Sequence, residues 1–174
     1  MTATPATDDT VLRPAQRDDV PTILAFIREL AVYEKLEHEA VATPALMERA
    51  LFGERPAAEV IIAEADGQPA GFVLFFTTFS TFVGLPGLYL EDLFVRPAFR
   101  KRGIATMLMR HLARTAVERG YGRFEWSVLD WNEPAIRFYR SLGARPMDEW
   151  TVQRVDGEAL LALARDGQTS TQIQ

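Results

Sequence analysis

A short loop in the middle of the chain concentrates positive charge beside a glycine. Within seven positions it carries Arg96, Arg100, Lys101 and Arg102, and Gly103 follows directly, although the chain has a formal net charge of −5. A pattern typical of a helix begins there, and a helix start presents unpaired N–H groups and a partial positive charge. Glycine lets a ligand approach the backbone closely. The loop therefore predicts a pyrophosphate site, with a solvated basic loop as the plain alternative.

Two common phosphate motifs do not match this loop. The pattern GxxxxGK[ST] is absent, and the first glycine of GxGxxG is missing. The neighbouring segments predict a strand over 88–95, a helix from Gly103 to about Arg119 and a strand over 123–129. Such a strand–helix–strand unit makes the two strands parallel neighbours.

The remaining elements predict a mixed α/β fold. Apolar spacing predicts a helix capped by Asp18 or Asp19, and Thr43 begins a second helix over 43–52. Further strands are predicted over 11–13, 59–65, 69–82 and 150–155, and further helices over 132–143 and 157–164. The central sheet would be mostly antiparallel, with about six to seven strands. One domain is expected over 10–165, between disordered tails at 1–9 and 166–174.

Composition restricts the classes of function. The chain has no cysteine and only His38 and His111, so we expect neither disulfides nor a metal site. It shows no secretory signal and no run of about 20 apolar residues, so we expect no membrane association and a cytoplasmic location. The acidic balance argues against nucleic acid as a partner.

Two motifs together resemble the GNAT superfamily of acetyl-CoA-dependent N-acetyltransferases. They are RxxGxA at 100–105, after a strand, and WNEPAIRFYRSLGA at 131–144, and the likeness spans about residues 11–164. IRELAVYEKLE, YLEDLFV and RKRGIAT add a closer likeness to the diamine group, the spermidine/spermine and thialysine acetyltransferases. Ala105 departs from the glycine that the family usually has. The resemblance implies the GNAT fold, a splayed parallel strand pair that holds acetyl-CoA, and a homodimer.

The resemblance also implies which residues contact acetyl-CoA. The backbone of Leu93, Phe94 and Val95 should pair with the pantetheine arm. Residues of the loop and of the helix start should cradle the pyrophosphate; they are Arg100, Lys101, Arg102, Gly103, Ile104, Ala105 and Thr106. A later helix start should lie along the thiol end of the cofactor, through Asn132, Glu133, Pro134 and Ala135.

Two residues are implied to carry the chemistry. Tyr139 should be the general acid, because a phenol with a pKa of about 10 suits a thiolate leaving group; packing beside Ile136 and Phe138 is the alternative. Glu91 should face the amine, as a base acting through water or only as an electrostatic anchor. Strand alternation places Asp92 on the opposite side, where we expect a turn or helix-end hydrogen bond.

The acceptor implied by the resemblance is a primary amine of a small di- or polyamine or of a lysine-like amino acid. The residues implied to bind it are Tyr33, Glu34, Glu91, Glu125, Trp126 and Ser127. A solvated helix end is the plain alternative for Glu34, and a core position is the alternative for Trp126. Glu149 is a further candidate, although the loop before Trp150 is shorter than in the diamine group.

Other functions remain open at this point. An acetyltransferase could act on a peptide or protein amine, which would need an open groove rather than an acidic pocket, or on another small amine. A CoA-sensing module without catalysis is a second possibility, which the presence of both Tyr139 and Glu91 disfavours. A nucleic-acid binder using Arg96 to Arg102 is a third, disfavoured by the short cluster and the net charge.

Overall fold

The computed structural model describes residues 9–166, and these form two compact units with a sequence boundary between Ser127 and Val128. Short 3-10 turns occupy Arg17–Asp19, Glu37–Glu39 and Pro97–Phe99. The first unit contains β1 Val11–Pro14, α1 Val20–Glu34, α2 Pro44–Phe52, β2 Glu59–Ala65, β3 Gln68–Ser80, β4 Leu85–Val95, α3 Ile104–Glu118 and β5 Phe124–Trp126, and the second contains α4 Glu133–Ser141 and α5 Gly157–Asp166. In the described part of the chain, no helix is both long and apolar enough to span a bilayer.

The first unit is built on one mixed sheet in the order β1-β2-β3-β4-β5. The first four strands are antiparallel to their neighbours, whereas β4 and β5 are parallel. The helix α3 connects the parallel pair, as a crossover must. The predicted mixed α/β fold, its antiparallel meander and its parallel pair are therefore confirmed.

One apolar core lies between the sheet and the helices α1 and α2. Phe26 of α1 stacks on Phe72 of β3, with ring centroids 5.1 Å apart, and also contacts Phe94 of β4. The buried residues of this α1-side core are Ile23, Phe26, Leu51, Val60, Ile62, Phe72, Leu74 and Phe94. The buried residues of α3 are not part of that cluster, and α3 packs on the strands with a separate apolar stripe.

A β-bulge interrupts the pairing of β3 with β4 at the middle of the sheet. Leu74 pairs with Asp92 and the next residue, Phe75, pairs with Leu90, so Glu91 has no cross-strand partner. Directly paired residues share a face of the sheet, and a bulge reverses the alternation along the strand that carries it. Leu90 and Asp92 consequently lie on opposite faces, although their spacing in sequence would put them on the same one.

Three sequence predictions need correction. The sheet has five strands rather than six or seven, because residues 150–155 form no strand. Trp150 and Val152 are exposed there, and no ladder partner for this segment occurs among residues 9–166. The strand predicted over 123–129 covers only Phe124–Trp126. Asp19 precedes α1 as expected, but its side chain makes no cap hydrogen bond there and binds Arg13 instead.

The predicted tails lie almost wholly outside the described residues. Residues 1–8 and 167–174 are not described, and α5 extends to Asp166. The expectation of one domain over 10–165 stays a prediction.

Candidate functional site

The site in the first unit is built where β5 ends and β4 continues. The two parallel strands pair only through Leu88, Tyr89 and Leu90 of β4, whereas β4 runs on to Val95. Within the described residues, no strand pairs with Glu91–Val95 on the β5 side. The backbone that includes Leu93, Phe94 and Val95 thus presents an open strand edge there, with hydrogen-bonding groups available to an extended ligand.

The bulge directs Asp92 to the α1 face of the sheet. Asp92 pairs with Leu74, and Leu74 and Phe94 belong to the α1-side core. Glu34 is the last residue of α1 and is half-buried, while Glu91 in the bulge is exposed. The carboxylate that enters the partly buried acidic environment is therefore that of Asp92. Asp92 lies inside β4, as expected, and the expected hydrogen bond to a turn or helix end stays a prediction.

The surroundings raise the pKa of two acidic groups of the site, Asp92 and Glu34. Burial raises the pKa of Asp92 to about 7, and the negative charges of Glu91 and Glu34 contribute to the rise. Burial also raises the pKa of Glu34. A half-protonated carboxylate at neutral pH, beside two further acids, can both attract a cation and accept a proton. No group of three acids or histidines among residues 9–166 is placed to hold a metal ion.

Arg96, the first cation of the basic loop, has a structural role. Arg96 forms a two-pronged ion pair with Glu29 of α1, with N–O distances of 2.8 to 3.1 Å. Its Nη1 donates to the carbonyl oxygen of Pro69 at 2.9 Å, and its guanidinium lies over the ring of Phe26 at 4.6 Å. The side chain thereby ties β4 to α1 and to the start of β3.

Two of the remaining cations also have protein partners. Arg100 donates from Nε to the carbonyl oxygen of Val95 at 3.0 Å, and its guanidinium lies over the rings of Tyr33, at 5.3 Å, and Phe94, at 5.9 Å. Arg102 pairs with both carboxylate oxygens of Asp66, at 2.7 and 3.0 Å. Because Arg100 contacts Tyr33, the basic loop and the acidic residues at the end of α1 are neighbours.

The backbone of the loop forms a concave arrangement of N–H groups. Lys101 and Gly103 have positive φ angles of 62° and 78°, the alternating geometry of an anion-binding nest. The first backbone bond of α3 runs from Met107 N to Gly103 O at 3.0 Å, so the N–H groups of Ile104, Ala105 and Thr106 precede the first intrahelical bond. A Cβ at Gly103 would meet no protein atom within 4 Å, so the space above the nest is open.

The three candidate residues near β5 make contacts of their own. Glu125 pairs with Arg123 at 2.7 Å, so its charge is already balanced within the strand. The hydroxyl groups of Ser127 and Tyr89 are hydrogen-bonded at 2.7 Å. Trp126 pairs with Leu90 across the parallel ladder and is half-buried. Trp126 and Ser127 thus flank the open strand edge, and Glu125 is the weakest of the predicted amine ligands.

The second unit holds the other predicted residues on one helix. Asn132 is buried and caps α4, because its Oδ1 accepts a hydrogen bond from Ala135 N at 3.3 Å. Glu133 and Pro134 form the first turn. Tyr139, also on α4, is half-buried, and its ring centroid lies 5.4 Å from that of Phe138.

Sequence reasoning gave too little weight to Asp92 and did not consider Asp66. The position of Asp92 could be found only from the pairing of β4 with β3, because the sequence of β4 alone does not reveal the bulge. Asp66 had only a partial signal, because the sequence marks Asp66-Gly67 as a typical hairpin-turn dipeptide but does not show that this turn lies beside the basic loop.

Comparisons with known proteins agree with these features. The model of the family described as Acetyltransferase (GNAT) family matches residues 24–144, more than half of the chain. L-ornithine N5-acetyltransferase from Arabidopsis thaliana is 33% identical over 197 aligned residues, covering 87% of this chain and 86% of that protein. Thialysine N-epsilon-acetyltransferase from Sus scrofa is 36% identical over 165 residues, covering 88% and 96%. Among solved structures, an integron cassette protein from the mobile metagenome of V. cholerae superposes with a TM-score of 0.76 at 26% identity, covering 90% of this chain and 98% of that one.

Proposed function

Since the chain belongs to the GNAT family of acetyltransferases and is an N-acetyltransferase, we propose that its acceptor is the terminal primary amine of a small lysine-like amino acid or diamine. The observation that carries this proposal is the acidic group of Asp92, Glu34 and Glu91 beside the open edge of β4. An ammonium ion is attracted by several carboxylates, and a partly buried set attracts it more strongly than a solvated one.

The names of two relatives support a side-chain amine as the acceptor. These names specify the N5 amine of ornithine and the ε-amine of thialysine. Both are terminal amines on the side chain of an amino acid, which favours such an acceptor over a polyamine. A peptide amine fits less well, because the acidic group is partly buried and not spread along a groove.

Acetyl-CoA is the donor that the GNAT family generally uses. We place its diphosphate over the nest formed by Lys101, Gly103 and the start of α3, where unpaired N–H groups and the helix dipole favour an anion. Its pantetheine arm is placed along the open edge of Leu93–Val95. Arg100 Nε occupies the Val95 carbonyl oxygen in this structure, so this bond exchanges when the arm binds.

Asp92 is the proton acceptor in this proposal. An alkylammonium ion has a pKa of about 10, and it must lose a proton before its nitrogen can attack. A carboxylate whose pKa is about 7 is a better acceptor than an ordinary one. Glu91, exposed in the bulge, assists through water and charge, as its assignment from the family resemblance implies.

The transfer is direct, in a complex of both substrates. The ammonium ion first gives one proton to Asp92, which later releases it to solvent. The neutral amine nitrogen then forms a bond to the thioester carbonyl carbon, and the carbon–sulfur bond breaks. The leaving thiolate takes a proton from the Tyr139 hydroxyl, and the second proton of the amine nitrogen passes through solvent to the Tyr139 phenolate. The role of Tyr139 rests on the family resemblance, supported by its place on a helix that Asn132 caps.

A panel of acceptors tests the proposal. Ornithine, lysine, thialysine, putrescine, spermidine and a lysine-containing peptide are each mixed with acetyl-CoA, and thiol release is measured with product mass. We expect the highest kcat/KM for ornithine, lysine or thialysine, with acetylation on the side-chain amine. Turnover confined to the peptide would refute the assigned acceptor. If none of the amines leads to release of CoA, the proposal as a whole is refuted.

A further inference from the structure

The β2–β3 turn and the start of β3 hold the two ends of the basic loop. At the first end, Arg96 N donates to Ala70 O at 2.9 Å, and Arg96 Nη1 donates to Pro69 O at 2.9 Å. At the second end, Arg102 forms its two-pronged pair with Asp66. The residues between these two anchors include Lys101, whose positive φ helps to form the nest.

This turn is a stiff support. Ala65 pairs with Gln68, so only Asp66 and Gly67 connect the two strands. Their φ angles are 54° and 71°, and positive φ at both central residues is the mark of a type I′ hairpin turn, which matches the twist of its strands. The backbone of such a turn has little conformational freedom, so the Asp66 carboxylate offers Arg102 a partner at a fixed position.

The nest, by contrast, contains a backbone geometry that needs support. Lys101 is not glycine and yet has a φ of 62°, a strained backbone geometry that persists only where surrounding contacts offset its cost. Arg102 is the next residue, and its guanidinium also lies over the ring of Phe99 at 5.6 Å. The Arg102 side chain is thus fixed between the 3-10 turn before the nest and the β2–β3 turn.

We propose that Asp66 is a positioning residue for acetyl-CoA, which acts through Arg102 to keep the diphosphate nest in its binding geometry. The inference rests on the proposed placement of the diphosphate. It assigns Arg102 a different role from the one that the family resemblance suggests, because a guanidinium engaged with both oxygens of Asp66 holds the loop more than it binds a phosphate. A loop that is already ordered binds its ligand more tightly, because binding does not have to include the entropic cost of ordering the loop.

The test compares Asp66→Asn with the wild-type protein. Asparagine tolerates a positive φ well and keeps the shape of the side chain, so the turn is retained while the charge is lost. If the nest is competent for only about a quarter to a third of the time without its anchor, the apparent Kd for CoA rises about three- to fourfold. Titration calorimetry with CoA measures this, and steady-state kinetics should show the same rise in KM for acetyl-CoA with kcat and the amine KM unchanged.

Acetylpantetheine distinguishes positioning from a general structural defect. This donor has the thioester and the pantetheine arm but lacks the diphosphate, so Asp66→Asn should leave its kcat/KM unchanged. Glu59→Gln is the matched control. Glu59 of β2 pairs in the same two-pronged manner with Arg119, just after the far end of α3, at 2.6 and 2.8 Å. Its loss should leave the Kd for CoA unaltered.

The direct-ligand role for Arg102 predicts the opposite sign. Removing Asp66 would then release the guanidinium toward the diphosphate and tighten CoA binding. A Kd for Asp66→Asn that is equal to or lower than that of the wild type overturns the inference, and so does an equal loss with acetylpantetheine or in Glu59→Gln. Absence of CoA binding by the wild-type protein overturns the proposed function as well, so the two failures are distinguishable.

Discussion

Replacing Asp92 by asparagine should make the protein more stable and a much poorer enzyme. The structure raises the pKa of this carboxyl from 3.8 to about 7, mainly by burial. In the folded state the carboxylate form is therefore disfavoured, and folding at neutral or higher pH must move a carboxylate that is already ionised into unfavourable surroundings. Asparagine has nearly the same shape but never ionises, so it does not incur that cost.

The size of the effect follows from the shift. A rise of about three pKa units corresponds to about 4 kcal/mol at most, since each unit is worth about 1.4 kcal/mol. Asn keeps a polar group that also loses water, so we expect a gain of about 1 to 3 kcal/mol in the free energy of unfolding at pH 8. The folded carboxyl binds its proton more tightly than the unfolded one. The protonated carboxyl of Asp92 therefore makes its whole contribution to wild-type stability below pH 4. This contribution is lost as the pH rises to about 7.

Urea unfolding at pH 4, 5.5 and 8 measures the difference between the two proteins. The advantage of Asp92→Asn should grow with pH and level off above pH 7. Asp18→Asn is the matched control, because the same chemical change is made at an exposed carboxylate, and it should show no such trend. A variant that is less stable than the wild type at pH 8, or an advantage that does not change with pH, would show that burial of Asp92 carries no ionisation cost.

Activity provides the second readout. In the wild type, kcat/KM should decrease as the pH is lowered through about 7, the pKa of Asp92, because the free enzyme must have an ionised Asp92. The same limb in kcat should lie at lower pH, since a bound ammonium ion favours the carboxylate. Asp92→Asn should lose the limb and about 100-fold or more of kcat/KM, a typical loss for a general base. A variant with full activity and an unchanged limb would refute the assignment of the base.

Three further predictions concern other candidate residues. Gly103→Ala should raise the KM for acetyl-CoA about tenfold or more in steady-state assays and leave the amine KM unchanged, because alanine resists a φ of 78° and its methyl group projects into the nest. An unchanged KM for acetyl-CoA would contradict the assignment of the nest as the diphosphate site. Glu34→Gln should raise the amine KM and move the acid limb of kcat/KM to lower pH, as removal of one negative charge lowers the pKa of Asp92; a limb moved upward would contradict this. Tyr139→Phe should lower kcat about 10- to 100-fold with both KM values preserved, and full turnover in that variant would support packing as the role of the ring.

Much of the fold could be predicted because it depends on local patterns. The helical spacing after Gly103, the crossover unit and the meander all follow from the order of apolar and polar residues. The strand predicted at 150–155 failed for a different reason. Its β-branched pattern indicates a capacity to pair, but a strand exists only where another strand offers its hydrogen-bonding groups. The homodimer and the cytoplasmic location stay predictions.

The candidate site was less predictable, because it depends on register across the sheet. The residue types at Glu91 and Asp92 identify an acidic point on β4, and that much is readable from one strand. Which carboxylate enters the partly buried side is decided by the bulge, and the bulge arises from the pairing of β4 with Leu74 and Phe75 on β3. Alternation along a single strand predicts the wrong face for every residue beyond such an irregularity.

The charge of the basic loop has a different meaning in three dimensions from the one that its sequence suggests. Arg96 and Arg102 are each engaged by one carboxylate through at least two hydrogen bonds, and Arg100 contacts a carbonyl oxygen and two rings. These side chains hold a loop whose backbone carries the unpaired N–H groups, so their positive charge serves mainly to fix geometry. An anion site built in this way depends on loop shape more than on the number of cations. For that reason we expect Asp66, an acidic residue outside the loop, to matter more to a bound diphosphate than a further arginine within the loop would.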